Sequence, residues 1–348
     1  MPSTWQGITF DENGVCNICL EHEKKKRIDW EARNCILTDM LCYYIQRTYK
    51  TGNKYDCLVG YSGGKDTAYT LWAMKVKYRM RPLAFTFDHG FNLPRNAEYN
   101  LQEIPKMLDV DHIRFSIGND FRNALCRKAS EVMGDFCWHC HNGVGAIPAR
   151  ISMQWDIPLQ VWGEPTAEYQ TTGTGYSFDD SEEQNEEHYK RAFQGGVTPE
   201  MILPDGYEMR DLEIFRWHSY PKLKAIYLGN YEPWDQIEHA RIIEKELGWK
   251  PHPYEDFDPE LIRTWGNYRN WDKVDCIYET VRNYQKFLRR GFDKISFQCS
   301  KDIRDGLMTR EQGLEMLKYE GQKPVNFSQF TEETGISEAE LERITKRL

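Results

Sequence analysis

Residues 58–69 read LVGYSGGKDTAY, and this stretch decides the predicted fold. The apolar run at its start predicts a β-strand, and residues 66–79 predict a helix. A loop of small residues, Ser62–Thr67, joins the two. Gly63 and Gly64 let backbone N–H groups converge on an anion, and the N-terminus of the following helix adds partial positive charge. The loop therefore predicts a phosphate-binding site, although its spacing differs from that of the Walker A motif.

The side chains of the loop support this interpretation. Lys65 adds a full positive charge, and Ser62 and Thr67 add hydroxyl groups. Asp66 is unusual in a simple anion site, so we expect it to cap the helix or to meet a metal ion. The candidate phosphate contacts are Ser62, Gly63, Gly64, Lys65, Asp66 and Thr67.

Strand and helix patterns alternate on both sides of this loop. Further strands are predicted at residues 81–90, 110–117 and 157–164, and further helices at residues 31–50, 94–109, 120–133 and 145–156. Such alternation predicts an α/β fold with a doubly wound parallel sheet. In these sheets ligands bind beyond the carboxyl ends of the strands.

The chain divides into four predicted regions. Residues 1–50 form a small cysteine knuckle and a helix, and residues 51–169 form the domain that carries the loop. Residues 170–204 are polar and rich in glycine, which predicts a flexible loop or a substrate lid. Residues 205–348 are predicted to be mostly helical.

Composition narrows the class of protein. The chain has 348 residues, a formal net charge of −9 and ten cysteines. No segment approaches the roughly 20 apolar residues that cross a membrane, and residues 1–10 do not resemble a secretory signal. We therefore expect a cytoplasmic protein without membrane insertion. The acidic balance weighs against a nucleic-acid partner.

Two cysteine pairs have the spacing of metal ligands, namely Cys16-x-x-Cys19 and Cys137-x-x-Cys140. One hypothesis is a structural zinc site, in which the pairs meet each other or the second pair recruits His139 or His141. A second hypothesis is an iron–sulfur cluster on the second pair and a remote cysteine, Cys276 or Cys299. Unligated thiols are the third.

SGGKDT resembles the signature of the N-type ATP pyrophosphatases, also called PP-loop ATPases. The resemblance implies that the loop holds the pyrophosphate end of ATP. AMP is then transferred to a carbonyl oxygen, and nitrogen or sulfur displaces it.

Further segments resemble one branch of that superfamily, the N-acetyl sugar amidotransferases of bacterial surface-polysaccharide and O-antigen (lipopolysaccharide) biosynthesis. They include GITFDENGVCNIC, EKKKRIDW, LAFTFDHGFN, CWHCHNG, IPLQVWGE, YLGNYEPWDQ and NWDKVDC. The resemblance implies a ligase that turns the acetamido group of a sugar into an acetamidino group, with ATP, Mg²⁺ and ammonia. It also implies that a separate glutaminase subunit supplies the ammonia. The chain has no nucleophile turn of a glutaminase and no cysteine at residue 2, which fits that expectation.

Residues at the ends of the predicted strands complete the candidate site. Phe87 ends the apolar run LAFTF of the second strand, and Asp88 follows it. ATP contact at these two residues and a turn capped by the aspartate are both open interpretations. Gly163 and Glu164 follow the fourth strand. Gly163 would let the backbone approach ATP, and Glu164 would orient ammonia or take its proton.

Roles in the reaction divide among these residues. We expect Lys65, Asp66 and Glu164 to be catalytic, whereas a surface-loop carboxylate is the alternative for Glu164. His141, Asn142 and Glu168 are candidates for contact with the sugar.

Two rival functions remain open from the sequence. One is a PP-loop enzyme that modifies tRNA, either a thiolase or a lysidine-type synthetase. The other is a nucleotide-binding subunit without catalysis.

Overall fold

A computed structural model describes residues 1–5, 7–165, 167–168, 178, 189–190, 193, 195–218, 220–253, 268–322 and 325–346. Most of the segment predicted to be a loop or lid lies outside these described residues. Within them, no helix combines the length and the apolar character that a membrane crossing requires.

A five-stranded parallel sheet forms the centre of the fold. Its strands are β1 (Cys57–Gly60), β2 (Pro82–Asp88), β3 (His112–Ser116), β4 (Leu159–Trp162) and β5 (Lys224–Tyr227), in the order β3-β2-β1-β4-β5. The predicted α/β class and parallel sheet are confirmed. β5 was not predicted, because it lies in the region assigned to helices and four residues are too few for a periodicity to identify.

Helices precede, connect and follow the strands. They are α1 (Asn17–Lys25), α2 (Trp30–Thr51), α3 (Lys65–Trp72), α4 (Arg95–Met107), α5 (Asn119–Met133), α6 (Trp138–Gln154), α7 (Gln236–Leu247), α8 (Glu279–Arg290), α9 (Lys294–Arg304), α10 (Arg310–Met316), α11 (Ser328–Thr334) and α12 (Glu338–Lys346). A π-helical turn, Ala73–Lys77, continues α3, and short 3₁₀ segments occur at Pro199–Met201, Glu213–Phe215, Leu228–Asn230 and Leu317–Tyr319.

Helices cover both faces of the sheet, as the doubly wound prediction requires. Successive strand residues point to opposite faces. Leu58 and Phe85 therefore pack with residues of α5 and α6. Val59 and Ala84 pack on the other face with residues of α3, α4 and α7. The central strands are thus buried on both sides, which explains their continuous apolar runs.

The strand order creates a switch point beside β1. The chain runs from β1 outward to β2 and β3, and then returns to β4 on the other side of β1. Connections after β1 and β4 therefore diverge, which opens a crevice at the carboxyl ends of these strands. Ser62–Thr67 follows β1 and Gly163 follows β4, so both predicted segments reach this crevice.

Helix α6 begins earlier than the sequence predicts. The helix was expected from residue 145, but it begins at Trp138 and includes most of CWHCHNG. Two glycines lie inside it because neighbouring rings leave no room for a side chain. A Cβ atom on Gly143 would lie 2.5 Å from the ring of Phe87, and one on Gly145 would lie 2.6 Å from Tyr189. Tertiary packing here overrides the low helix propensity of glycine.

Candidate functional site

The loop Ser62–Thr67 is closed by its own hydroxyl groups. The Ser62 backbone N–H donates to Thr67 Oγ1 at 3.1 Å, and Thr67 Oγ1 donates to the Gly64 carbonyl oxygen at 3.1 Å. Gly63 has a φ of +79°, a conformation that favours glycine. The indole of Trp249 donates to the Gly63 carbonyl oxygen at 2.9 Å. The loop therefore has a defined shape at the N-terminus of α3.

Lys65 is buried at the base of the loop, with 5% of its surface exposed. Its Nζ lies 2.6 Å from Asp66 Oδ2 and 3.9 Å from Asp272 Oδ1. Burial lowers the pKa of Lys65, but the two carboxylates act in the opposite direction and raise it above the ordinary value. The side chain is therefore a positive charge held at the N-terminus of a helix, an arrangement suited to an anionic ligand.

A turn from the C-terminal region, residues 271–275, forms the opposite wall of the site. Asp272 accepts a hydrogen bond from Lys294 Nζ at 2.9 Å, and Lys273 Nζ lies 3.3 Å from Asp275 Oδ1. A methyl group on Gly64 would lie 3.6 Å from Asp275 Oδ2. Burial raises the pKa of Asp275, but Lys273 and a hydrogen bond with Ser62 lower it, and the net shift is downward.

Sequence reasoning did not assign roles to this turn. The string NWDKVDC, residues 270–276, was the one signal that pointed to it. About 200 residues separate the turn from the loop, a distance that no local pattern bridges. Only tertiary packing brings Trp271, Asp272 and Asp275 to Lys65 and Ser62.

Glu164 lies on the β4 side of the crevice. Burial raises the pKa of its carboxyl group to about 8, with a further contribution from the Asp66 carboxylate, whereas Lys65 and Lys273 oppose the shift. Gly163 next to it leaves space for Thr70 and Trp234, since a Cβ atom would lie 2.7 Å from Thr70 Oγ1. A carboxyl group with a pKa near neutrality is suited to proton transfer.

We predict a pH-dependent effect of Glu164→Gln on stability. The folded protein binds the Glu164 proton more tightly than the unfolded chain, because the pKa is raised from 4.5 to about 8. Ionisation of this carboxyl group therefore lowers the free energy of unfolding progressively as the pH rises from about 5 to about 8. Over that pH range, the free energy of unfolding measured with urea should fall less for Glu164→Gln than for the wild type. Equal pH slopes for the two proteins would contradict the assignment.

The last two residues of β2, Phe87 and Asp88, have other partners. The Phe87 side chain is buried among core residues and packs on Phe215. Asp88 accepts a hydrogen bond from Arg114 Nε at 2.8 Å and another from the Gly90 backbone N–H at 2.8 Å. The Asp88 carboxylate thus caps the turn at the end of β2. ATP contact by these residues stays a prediction.

The three candidate sugar contacts have different partners. His141 Nε2 lies 2.7 Å from Arg282 Nη2. Asn142 is fully buried, and it donates to the Trp138 carbonyl oxygen at 2.9 Å. Glu168 forms an ion pair with Lys25. The Asn142 amide therefore serves to hold α6 together.

The two cysteine pairs lie in different surroundings. Cys16 and Cys19 have their Sγ atoms 3.4 Å apart. Cys137 and Cys140 belong to another core cluster, in which Cys276 also packs.

Neither pair completes a metal centre in the described part of the chain. There, no third histidine, cysteine or carboxylate joins either pair within a ligand-sized group, and the pairs do not join each other. His139 lies instead between the Cys126 thiol and the His89 carbonyl oxygen. The zinc and iron–sulfur hypotheses therefore stay predictions.

Comparisons with known proteins find similarity over parts of the chain. Residues 260–348, a quarter of the chain, match the family model "LPS biosynthesis protein WbpG-like, C-terminal domain". An uncharacterized protein of Methanocaldococcus jannaschii is 29% identical over 114 residues, which cover 28% of this chain and 40% of that protein. The chain thus spans less than half the length of this relative. The matched C-terminal segment contains the turn at residues 271–275.

Proposed function

We propose that the protein is an ATP-dependent amidotransferase that converts an acetamido group of a bacterial surface sugar into an acetamidino group. The observation that carries the proposal is the position of the Ser62–Thr67 loop. It lies at the switch point of a parallel sheet, at the N-terminus of α3, with Lys65 buried beneath it. Backbone N–H groups, a helix N-terminus and a lysine together suit the phosphates of ATP.

Mg²⁺ would accompany ATP in this proposal, and the residues present fit it. Asp66 Oδ1 is buried and accepts no hydrogen bond from the residues that the structure describes, which leaves an oxygen available for a cation or its water. Asp66 is therefore the residue that would hold Mg²⁺. When bound, the ion neutralises phosphate charge.

The proposed chemistry has two steps. The amide oxygen of the sugar attacks the α-phosphorus of ATP, a P–O bond forms, and pyrophosphate leaves with the electron pair of the broken P–O bond. Ammonia then adds to the activated carbon, and the C–O bond to AMP breaks, which leaves an amidine. Lys65 stabilises charge on the phosphates in the first step, and Glu164 accepts the surplus ammonium proton in the second.

The other components of the reaction follow from the same chemistry. Ammonia would come from a separate glutaminase subunit, and the reaction would take place in the cytoplasm, where ATP is available. Cys137, Cys140 and Cys276 remain candidates for zinc or an iron–sulfur cluster, and metal analysis of the purified protein tests both.

The deciding experiment supplies the purified protein with ATP, Mg²⁺ and ammonium chloride, with and without a panel of di-N-acetylated sugars. We expect AMP release that depends on one of the sugars, and a product lighter by about one dalton because NH replaces oxygen. AMP release that depends on tRNA instead of sugar would favour the tRNA-modifying alternative. Absence of AMP with the glutaminase subunit and every sugar present would contradict the proposal.

A further inference from the structure

A cavity of about 410 Å³ lies beside the candidate site, between α1, α9 and the N-terminus of α7. Basic side chains dominate its lining. They are His22, Lys25, Lys26, Arg269, Lys301 and Arg304. Two carboxylates, Asp235 and Asp305, also line it. A concentration of basic groups is notable in a chain with a net charge of −9.

Most of these cations already have a carboxylate partner. Lys25 pairs with Glu168, and Lys301 pairs with Asp305. Arg269 Nη2 lies 2.7 Å from Asp302 Oδ2. The partners fix the basic side chains in place around the cavity.

Arg304 differs from the others. Its Nη1 donates to Ser300 Oγ at 2.8 Å, and no carboxylate among the described residues pairs with it. The remaining guanidinium donors can therefore serve a ligand. A guanidinium group binds phosphate and carboxylate groups through two parallel hydrogen bonds.

Asp235 does not cancel this charge at the cavity surface. Its Oδ1 accepts hydrogen bonds from the backbone N–H groups of Ile237 at 2.9 Å and Glu238 at 3.1 Å, so it caps α7. The carboxylate is thus engaged by the helix N-terminus.

A cation site is the competing interpretation of the same region. His22, Glu168 and Asp305 have ligand atoms within 4.8 Å of one another. However, lysine side chains already pair with both carboxylates, and Arg304 lies nearby, so a divalent ion would meet repulsion from several positive charges. The local charge favours an anion.

Aromatic side chains connect the cavity to the candidate ATP site. Trp234 lines the cavity and packs against the position of Gly163, where a Cβ atom would lie 3.0 Å from its ring. The centre of the Trp271 ring lies 5.0 Å from the Arg269 guanidinium and 5.0 Å from Lys65 Nζ. One layer of side chains therefore separates the cavity from the loop.

We propose that this cavity binds the anionic group, phosphate or carboxylate, of the sugar that the enzyme modifies, with Arg304 as its principal contact. The inference rests on the proposed function for the identity of the ligand as a sugar. Binding here would place the body of the sugar toward Trp271 and Lys65.

The test uses three simple sugars as probes: glucose 1-phosphate, glucuronate and glucose. Saturation-transfer NMR follows their binding to the full chain and to Arg304→Gln. Lys24→Gln is the matched control, because Lys24 is 60% exposed, pairs with Glu21 and does not line the cavity. We expect one or both anionic sugars to bind the wild type, glucose not to bind, and Arg304→Gln to weaken binding by about tenfold or more. The Lys24 variant should match the wild type.

Each result has a defined meaning. Preference for glucose 1-phosphate identifies a phosphate as the group recognised, and preference for glucuronate identifies a carboxylate. Equal binding by Arg304→Gln and the wild type, or no binding of either anion up to about 10 mM, would overturn the proposal. Binding of an ATP analogue is measured on the same samples. If the anionic sugars bind but the ATP analogue does not, the result contradicts the proposed function and still supports the anion site.

Discussion

Replacing Lys65 with methionine is expected to lower kcat/KM for AMP formation by at least about 100-fold. Methionine keeps much of the length of the side chain but removes the positive charge of Lys65, which is buried beneath the loop. The phosphates would then face the Asp66 carboxylate without the ammonium group that pairs with it, whereas Asp272 would keep its contact with Lys294. Quenched-flow or steady-state assays of AMP release measure the effect.

A matched variant separates this effect from a general loss of charge. Lys245 is 84% exposed on α7 and pairs with Glu246 at the surface, so Lys245→Met should retain activity within about twofold of the wild type. Lys65→Arg tests whether charge alone is sufficient. Circular dichroism must show that Lys65→Met is folded. A folded Lys65→Met protein with wild-type turnover would exclude the proposed role of the loop.

Replacing Arg282 with methionine is expected to destabilise the protein by about 3–5 kcal/mol. Arg282 on α8 donates from Nη2 to Asp135 Oδ2 at 2.7 Å and from Nε to Asp135 Oδ1 at 2.9 Å. Asp135 is only 4% exposed, so the variant leaves a charge inside the protein with Lys286, 3.7 Å away, as its remaining cation. Urea unfolding measures the loss.

The pH dependence of this pair provides a second readout. Burial raises the pKa of Asp135, but Arg282 and Lys286 lower it far more, and the net value lies below the usual range. The ion pair therefore stabilises the folded state above the unfolded carboxyl pKa of about 4, and this contribution disappears as the pH falls. Arg282→Met should show a smaller loss of stability on acidification than the wild type.

An exposed arginine is the control for this prediction. Arg210 is 79% exposed and pairs with Glu208 at the surface, so Arg210→Met should change the free energy of unfolding by no more than about 0.5 kcal/mol. If Arg282→Met changed the free energy of unfolding as little as Arg210→Met, the prediction that the Arg282–Asp135 ion pair holds α8 against the start of α6 would be wrong.

Local sequence patterns were sufficient to predict most of the strands and helices of the sheet domain. Four strands and the helices between them have clear apolar periodicities, and the string SGGKDT by itself indicates the strand-to-helix loop. The start of α6 was misplaced because Gly143 and Gly145 disfavour a helix in isolation, whereas the rings of Phe87 and Tyr189 require glycine there. A boundary that depends on packing is not visible in local sequence.

The sequence by itself determined the α/β class, the order of strand, loop and helix around Ser62–Thr67, and the candidate phosphate site, because these follow from short-range periodicity and glycine stereochemistry. The tertiary structure alone decided which distant groups complete the site. Asp272 and Asp275 reach Lys65 and Ser62 only through tertiary packing, because they lie far from the loop in the sequence. The burial that raises the pKa of Glu164 and the separate surroundings of the two cysteine pairs were likewise decided by packing, since burial and through-space charge are properties of the packed chain.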